Sequence, residues 1–159
     1  MDLATVEELR QLKYRYLRAL DLKLWDEFAD TLTEDATADY GNRLSFTGRE
    51  AIVGYMSKAV GPGIITVHHV QQPQIEVDGD SATGRWALDD TVIVTGQQLV
   101  IRGAAFYEDR YRRDDGVWRI ERTGYERIYE AMFALKDLPS FQLLENRWAA
   151  AADPAPVDH

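Results

Sequence analysis

The spacing of apolar residues changes period at Gly61-Pro62-Gly63, and no single element can cross that point. Proline lacks the amide hydrogen a helix or central strand needs, and the flanking glycines hold no backbone conformation. Before the break the period is helical. From Thr5 to Leu20 the apolar residues Val6, Leu9, Leu12, Tyr16, Leu17 and Leu20 fall on one arc of roughly 140°. Thr5 with Glu8 three residues on reads as a capping box. "LWDEFADTL" predicts a short second helix, and "SFTGREAIVGYMSKAVGPG" a third that stops at the breaker. After the break the period is two. "IITVHHVQQPQIEV", "SATGRWALDDTVIV", "LVIRGAAFYEDRYRR" and "VWRIERTGYERIYE" are separated by the hairpin signals "DGD", "TGQQ" and "DDG". Helices first and antiparallel strands after predict an α+β fold with the helices on one face of a sheet.

Composition narrows the function classes. The 159 residues and 45% hydrophobic content support one domain over 1–159, with a core over about 5–135 and a C-terminal extension from 136. There is no cysteine, which removes disulfides, thiolate zinc sites and a thiol nucleophile. A formal charge of -9 repels nucleic acid and anionic membrane, so neither is an expected partner. The opening stretch has no signal-peptide core and no apolar run reaches ~20 residues, so a cytoplasmic protein is expected. The Ala/Pro-rich tail, with His159 at its end, is expected to be mobile.

Some polar residues stand where the pattern calls for apolar ones. In "SATGRWALDDTVIV" one face carries Ala82, Gly84, Trp86, Leu88, Asp90, Val92 and Val94. A carboxylate facing an apolar interior needs a partner. Asp90 is therefore a paired structural acid or a site member, unless a bulge turns it to water. His68 and His69 point to opposite faces of a regular strand, and periodicity does not choose between them. Adjacent strand histidines diverge, and no further His or Cys completes a cluster, which argues against a metal site. Tyr16 lies inside the apolar arc of the first helix, as a core residue or a pocket hydroxyl. Asp21 lies at the edge of that arc, where it either caps the next helix or faces the same pocket. Tyr125, Arg127 and Tyr129 share one face if the last strand is regular, although Gly124 signals a bend. Arg127 then stacks at the surface or lines a cavity. The runs "YEDRYRRDD" and "EVDGD" read as solvated charge. No phosphate loop, nucleophile elbow or HExxH motif is present.

The stretches "QLKYRYLRALDLKLWDE", "ATGRWALDD", "GAAFYEDRY" and "TGYERIYE" resemble the SnoaL-like branch of the nuclear transport factor 2-like superfamily, and within it the bile acid 7α-dehydratase family. Scytalone dehydratase and hexachlorocyclohexane dehydrochlorinase look like more distant relatives. The resemblance implies a cone-shaped α+β barrel, with N-terminal helices held in a strongly curved antiparallel sheet around an apolar pocket. It also implies a cofactor-independent dehydratase acting on a hydroxylated, carbonyl-activated hydrophobic polycycle such as a steroid or bile-acid-like compound. The site residues it implies are Tyr16, Asp21, His68 and Asp90 as catalytic groups and Arg127 as a substrate-binding cation. His68 is the general base in that scheme, and His69 falls where the family needs no histidine. No cofactor is implied. A homotrimer is, with a dimer as the alternative. A ketosteroid-type isomerase, a polyketide cyclase or a non-catalytic ligand-binding module would use the same scaffold.

Overall fold

The computed structural model describes residues 2–41 and 44–152, so His159 and the end of the tail lie outside the described residues. Helices α1 (Leu3–Leu22), α2 (Trp25–Asp30) and α3 (Arg49–Ala59) precede four long strands, β3 (Ile64–Asp78), β4 (Ser81–Val94), β5 (Leu99–Asp114) and β6 (Val117–Ala134). Two further strands, β1 (Leu32–Tyr40) and β2 (Leu44–Thr47), occupy a region whose periodicity does not announce them. β1 alternates as Ala36, Ala38 and Tyr40 inward, and alanine contributes little to a hydrophobicity pattern. β2 takes the first residues of the stretch read as the third helix. Gly48, at φ 95°, ends it and delays α3 to Arg49. A 3-10 turn (Leu135–Asp137) and the short α4 (Ala149–Ala152) follow the sheet.

The sheet order is β2-β1-β6-β5-β4-β3. β1 runs parallel to β6, so the sheet is mixed where sequence alternation predicts antiparallel pairing throughout. The β3–β4–β5–β6 meander is antiparallel as expected. The Asp115-Gly116 loop closing β5 to β6 has positive φ at both positions, as a type I′ hairpin requires. β4 pairs with β5 without interruption from Ser81 to Val94. No bulge therefore turns Asp90 outward, and it is buried. β3 does carry a register shift between Gln71 and Gln74, with Gln72 at φ 52° beside Pro73. As an edge strand β3 tolerates that proline, since no neighbour needs its missing amide.

α1 begins at a different cap from the one its sequence suggests. Asp2 accepts the Ala4 amide, and its other oxygen accepts the Thr5 hydroxyl, so Thr5 supports the cap instead of forming it. The helix ends at Lys23, whose left-handed backbone returns its amide to Ala19 and Leu20. Asp21 thus sits in the last turn of α1. It does not cap α2, whose N-cap Leu24 makes no side-chain bond.

α1 packs on the inner face of the sheet, and Leu9, Leu12, Tyr16, Phe28, Leu32, Ile52, Trp86 and Ile120 fill the space between. A buried ion pair crosses this core. The Lys13 ammonium lies 2.8 Å from Asp109 and 3.4 Å from the centre of the Tyr107 ring, with both charged side chains fully buried. Asp109 also accepts the hydroxyls of Tyr111 and Thr123, and Tyr111 accepts the indole N–H of Trp86. Asp109 is therefore not solvated charge: it shares the inner face with Gly103, Ala105, Tyr107 and Tyr111. Burial pushes the Lys13 ammonium below its ordinary pKa, against the opposing pull of Asp109. Removing one partner strands the other charge. Lys13→Met is expected to lower the unfolding free energy by about 3–5 kcal/mol, read from urea denaturation. Lys13→Met with Asp109→Leu should cost less than the single replacement, because no bare charge stays buried.

Candidate active site

The last turn of α1 and the edge strand β3 are joined through one carboxylate. Asp21 Oδ1 accepts the Thr66 hydroxyl at 2.8 Å and lies 2.7 Å from His68 Nδ1. Its Oδ2 accepts the His68 backbone amide at 2.9 Å. Asp21 therefore fixes both the ring and the backbone of His68. An ionised carboxylate is an acceptor only, so in the neutral imidazole Nδ1 carries the hydrogen and Nε2 presents a lone pair. Among the described residues nothing bonds to Nε2. His68 faces Asp21, while His69 is exposed, and both line the groove between α1 and β3.

The register continues the site across the sheet. His68 stands opposite Asp90 on β4, and Asp90 opposite Gly103 on β5, so all three share the inner face. Arg127 on β6 reaches across Gly103 to Asp90, donating from both terminal nitrogens to the two carboxylate oxygens, Nη2 at 3.1 Å. Its Nε lies 3.2 Å from Glu130, and its guanidinium covers the Tyr125 ring at 4.8 Å. The structure thus brings Asp90 and Arg127 together as a bidentate pair that leaves one N–H on each terminal nitrogen of Arg127 uncommitted. Tyr129 does not join them. A register shift puts it opposite Ala104, one step off the face that Tyr125 and Arg127 share opposite Tyr107 and Ala105.

Gly103 makes the pair possible. A Cβ there would lie 2.5 Å from Arg127 Nη1 and 2.9 Å from the Tyr129 carbonyl oxygen. Alanine in place of a strand glycine ordinarily stabilises by about 0.4–1 kcal/mol. Here Gly103→Ala is expected to have the opposite sign, a loss of about 1–3 kcal/mol in a denaturant melt, as the added methyl displaces the guanidinium.

Tyr16 lies deeper, fully buried, with its hydroxyl 2.6 Å from that of Tyr40. Its ring packs on Phe28, and the Tyr40 ring on Tyr125. Burial raises both phenols above their ordinary pKa, so both keep their protons at neutral pH. Two hydroxyls sharing one hydrogen bond leave the second hydrogen free to donate to a third oxygen. Sequence reasoning missed Tyr40 because β1 itself was not legible. It missed Asp109 by a different route: the face argument that singled out Asp90 applies equally to Asp109 but is masked by the surrounding charges.

A groove of about 570 Å³ opens between α1 and β3 at the dyad, lined by Leu17, Leu22 and Val70 beside Asp21 and His68. Three helices packed against a six-stranded mixed sheet define the class as a small α+β fold. Within that class the chain belongs to the SnoaL-like domain family, whose model matches residues 1–124. It is 29% identical over 128 residues to an uncharacterized protein of Mycobacterium tuberculosis, spanning 79% of this chain and 86% of that one. Two solved structures share its fold. One is a putative scytalone dehydratase from Novosphingobium aromaticivorans, with TM-score 0.76, 21% identity and coverage of 82% and 88% of the two chains. The other is a hexachlorocyclohexane dehydrochlorinase from Novosphingobium barchaimii, with TM-score 0.75, 22% identity and coverage of 83% and 92%. No helix among the described residues is long and apolar enough to cross a membrane.

Proposed function

We propose that this protein is a cofactor-independent lyase that eliminates water from a hydroxylated, carbonyl-activated hydrophobic compound. The observation that carries the reading is the Asp21–His68 contact of 2.7 Å, which leaves Nε2 as a base at a groove. His68 Nε2 removes a proton made acidic by the substrate carbonyl, and the electron pair moves onto the carbonyl oxygen. The Tyr16–Tyr40 pair donates its free hydrogen to that oxygen. Asp21 stabilises the imidazolium, which returns the proton to the leaving hydroxyl, and water departs. Asp90, opposite His68 in register and paired with Arg127, is assigned to position the leaving hydroxyl or the histidine. Arg127 is assigned to the polar end of the substrate, since its bidentate contact with Asp90 uses one N–H of each terminal nitrogen and leaves the other.

The names of the two structural neighbours, a dehydratase and a dehydrochlorinase, both describe eliminations, which supports the reaction type. The apolar groove wall supports a steroid-like or other polycyclic substrate. The protein is proposed to assemble through the outer sheet face, where Phe106, Ile128 and Tyr129 are exposed. The trimer comes from the resemblance, and sedimentation velocity tests it. The test of activity is a panel of hydroxy-3-oxo steroids followed by mass spectrometry. Loss of one water supports the dehydratase. A mass-neutral double-bond shift would reassign the same base and donor to an isomerase.

A further inference from the structure

The groove at the dyad carries one charge that the elimination chemistry does not use. Arg18, one turn before Asp21 on α1, lines it and is exposed. Seven of the guanidiniums among the described residues have a carboxylate within 4.0 Å; Arg18 is one of those that have none, and the one of these that lines this groove. Arg113 is paired with Asp80, Arg119 with Asp30, Arg122 with Asp39, and Arg112 with three acids. Among the described residues Arg18 has no carboxylate within 4.0 Å and no hydrogen-bond acceptor. Its natural partner on a helix is Asp21, three positions on. Asp21 instead turns toward β3, where its two oxygens serve Thr66 and His68. Among the described residues it is also the only acid lining the groove. The fold therefore sets side by side an apolar wall of Leu17, Leu22 and Val70, a base, and an unpaired guanidinium at the rim.

We propose that Arg18 is the anchor for an anionic end, a carboxylate or sulfate, of the molecule that occupies this groove. That makes the ligand an amphipathic acid: an apolar body along Leu17, Leu22 and Val70 with its anion on the guanidinium fork. The anchor rests on the proposed elimination only in taking the other end of that ligand to be what His68 acts on. Guanidinium suits the task because its fork meets both oxygens of a planar anion. An exposed guanidinium alone holds an anion weakly. An apolar body seated beside it keeps the anion in place and excludes water from the contact. At a formal charge of -9 the field of the whole chain repels an anion, so attraction has to come from this local cation.

The experiment titrates the full chain by fluorescence with 6-hydroxy-2-naphthoate and with its methyl ester, a matched pair differing in charge. The carboxylate is expected to bind about tenfold more tightly than the ester, the scale of one charge-assisted contact. Arg18→Gln should abolish that preference while leaving ester affinity unchanged, and Arg18→Lys should keep part of it. Equal affinities in the unaltered protein, a preference that survives Arg18→Gln, or no binding of either probe overturns the proposal. His68→Gln separates this anchor from the function reading. If that variant keeps full turnover while Arg18→Gln loses the preference, the base assignment fails and the anchor stands. If it loses turnover while Arg18→Gln keeps the preference, the reverse holds.

Discussion

Replacing Asp21 by asparagine is expected to abolish turnover by reversing the histidine tautomer, and the geometry dictates the direction. Asp21 Oδ2 faces the His68 backbone amide, which can only donate. In Asp21→Asn the amide oxygen must take that position, which leaves the NH2 group where Oδ1 now meets Nδ1. Two donors cannot face each other, so Nδ1 loses its hydrogen and Nε2 gains it. The lone pair at the groove is then gone, although the residue remains nearly isosteric. A loss on the order of 10³–10⁴ in kcat is expected, the scale of such a replacement in other carboxylate–histidine pairs. His68→Gln removes the base outright and should cost about 10²–10⁴. Nitrogen-15 NMR of the imidazole separates mechanism from damage. The unaltered protein should show a hydrogen-bearing Nδ1 and a bare Nε2, and Asp21→Asn the reverse. A variant with the tautomer reversed but full turnover would falsify the base assignment.

The α+β class and the four long strands were legible because each rests on a strong local signal. A Gly-Pro-Gly break divides two periodicities, and the Asp-Gly loop closes a hairpin. The pairing of β1 with β6 was not legible. It joins segments more than eighty residues apart, and Ala36 and Ala38 mark their strand only weakly. The site divides in the same way. Alternation placed Asp90 on the apolar face, and the structure buries it there. Alternation could not say that Arg127 would occupy it, because that contact runs across β5 and depends on the missing side chain of Gly103. The contact of His68 with Asp21 was equally beyond local pattern. Asp21 lies forty-seven residues away, in the last turn of a helix whose C-cap is the left-handed Lys23. Local rules find residues that are out of place, and long-range register decides what they meet.

The tyrosine pair gives the second large effect, and it should not be additive. Tyr16 and Tyr40 share one hydrogen bond at 2.6 Å, so one hydroxyl donates to the other and keeps its partner's hydrogen aimed elsewhere. If the pair donates to the developing oxyanion, Tyr16→Phe and Tyr40→Phe should each lower kcat by about 10²-fold, near 3 kcal/mol of transition-state stabilisation. The double replacement should lower it by little more than either single one, because the second hydroxyl acts through the first. Independent donors would multiply instead, to about 10⁴-fold. Stability provides the control. Each replacement leaves a hydroxyl in the core without its partner, at a cost of about 1–3 kcal/mol, whereas removing both leaves neither unsatisfied. The double variant should therefore be no less stable than the single ones while remaining about as inactive. That combination distinguishes a donor pair acting on substrate from two tyrosines that merely fill the core, for which activity would return together with stability.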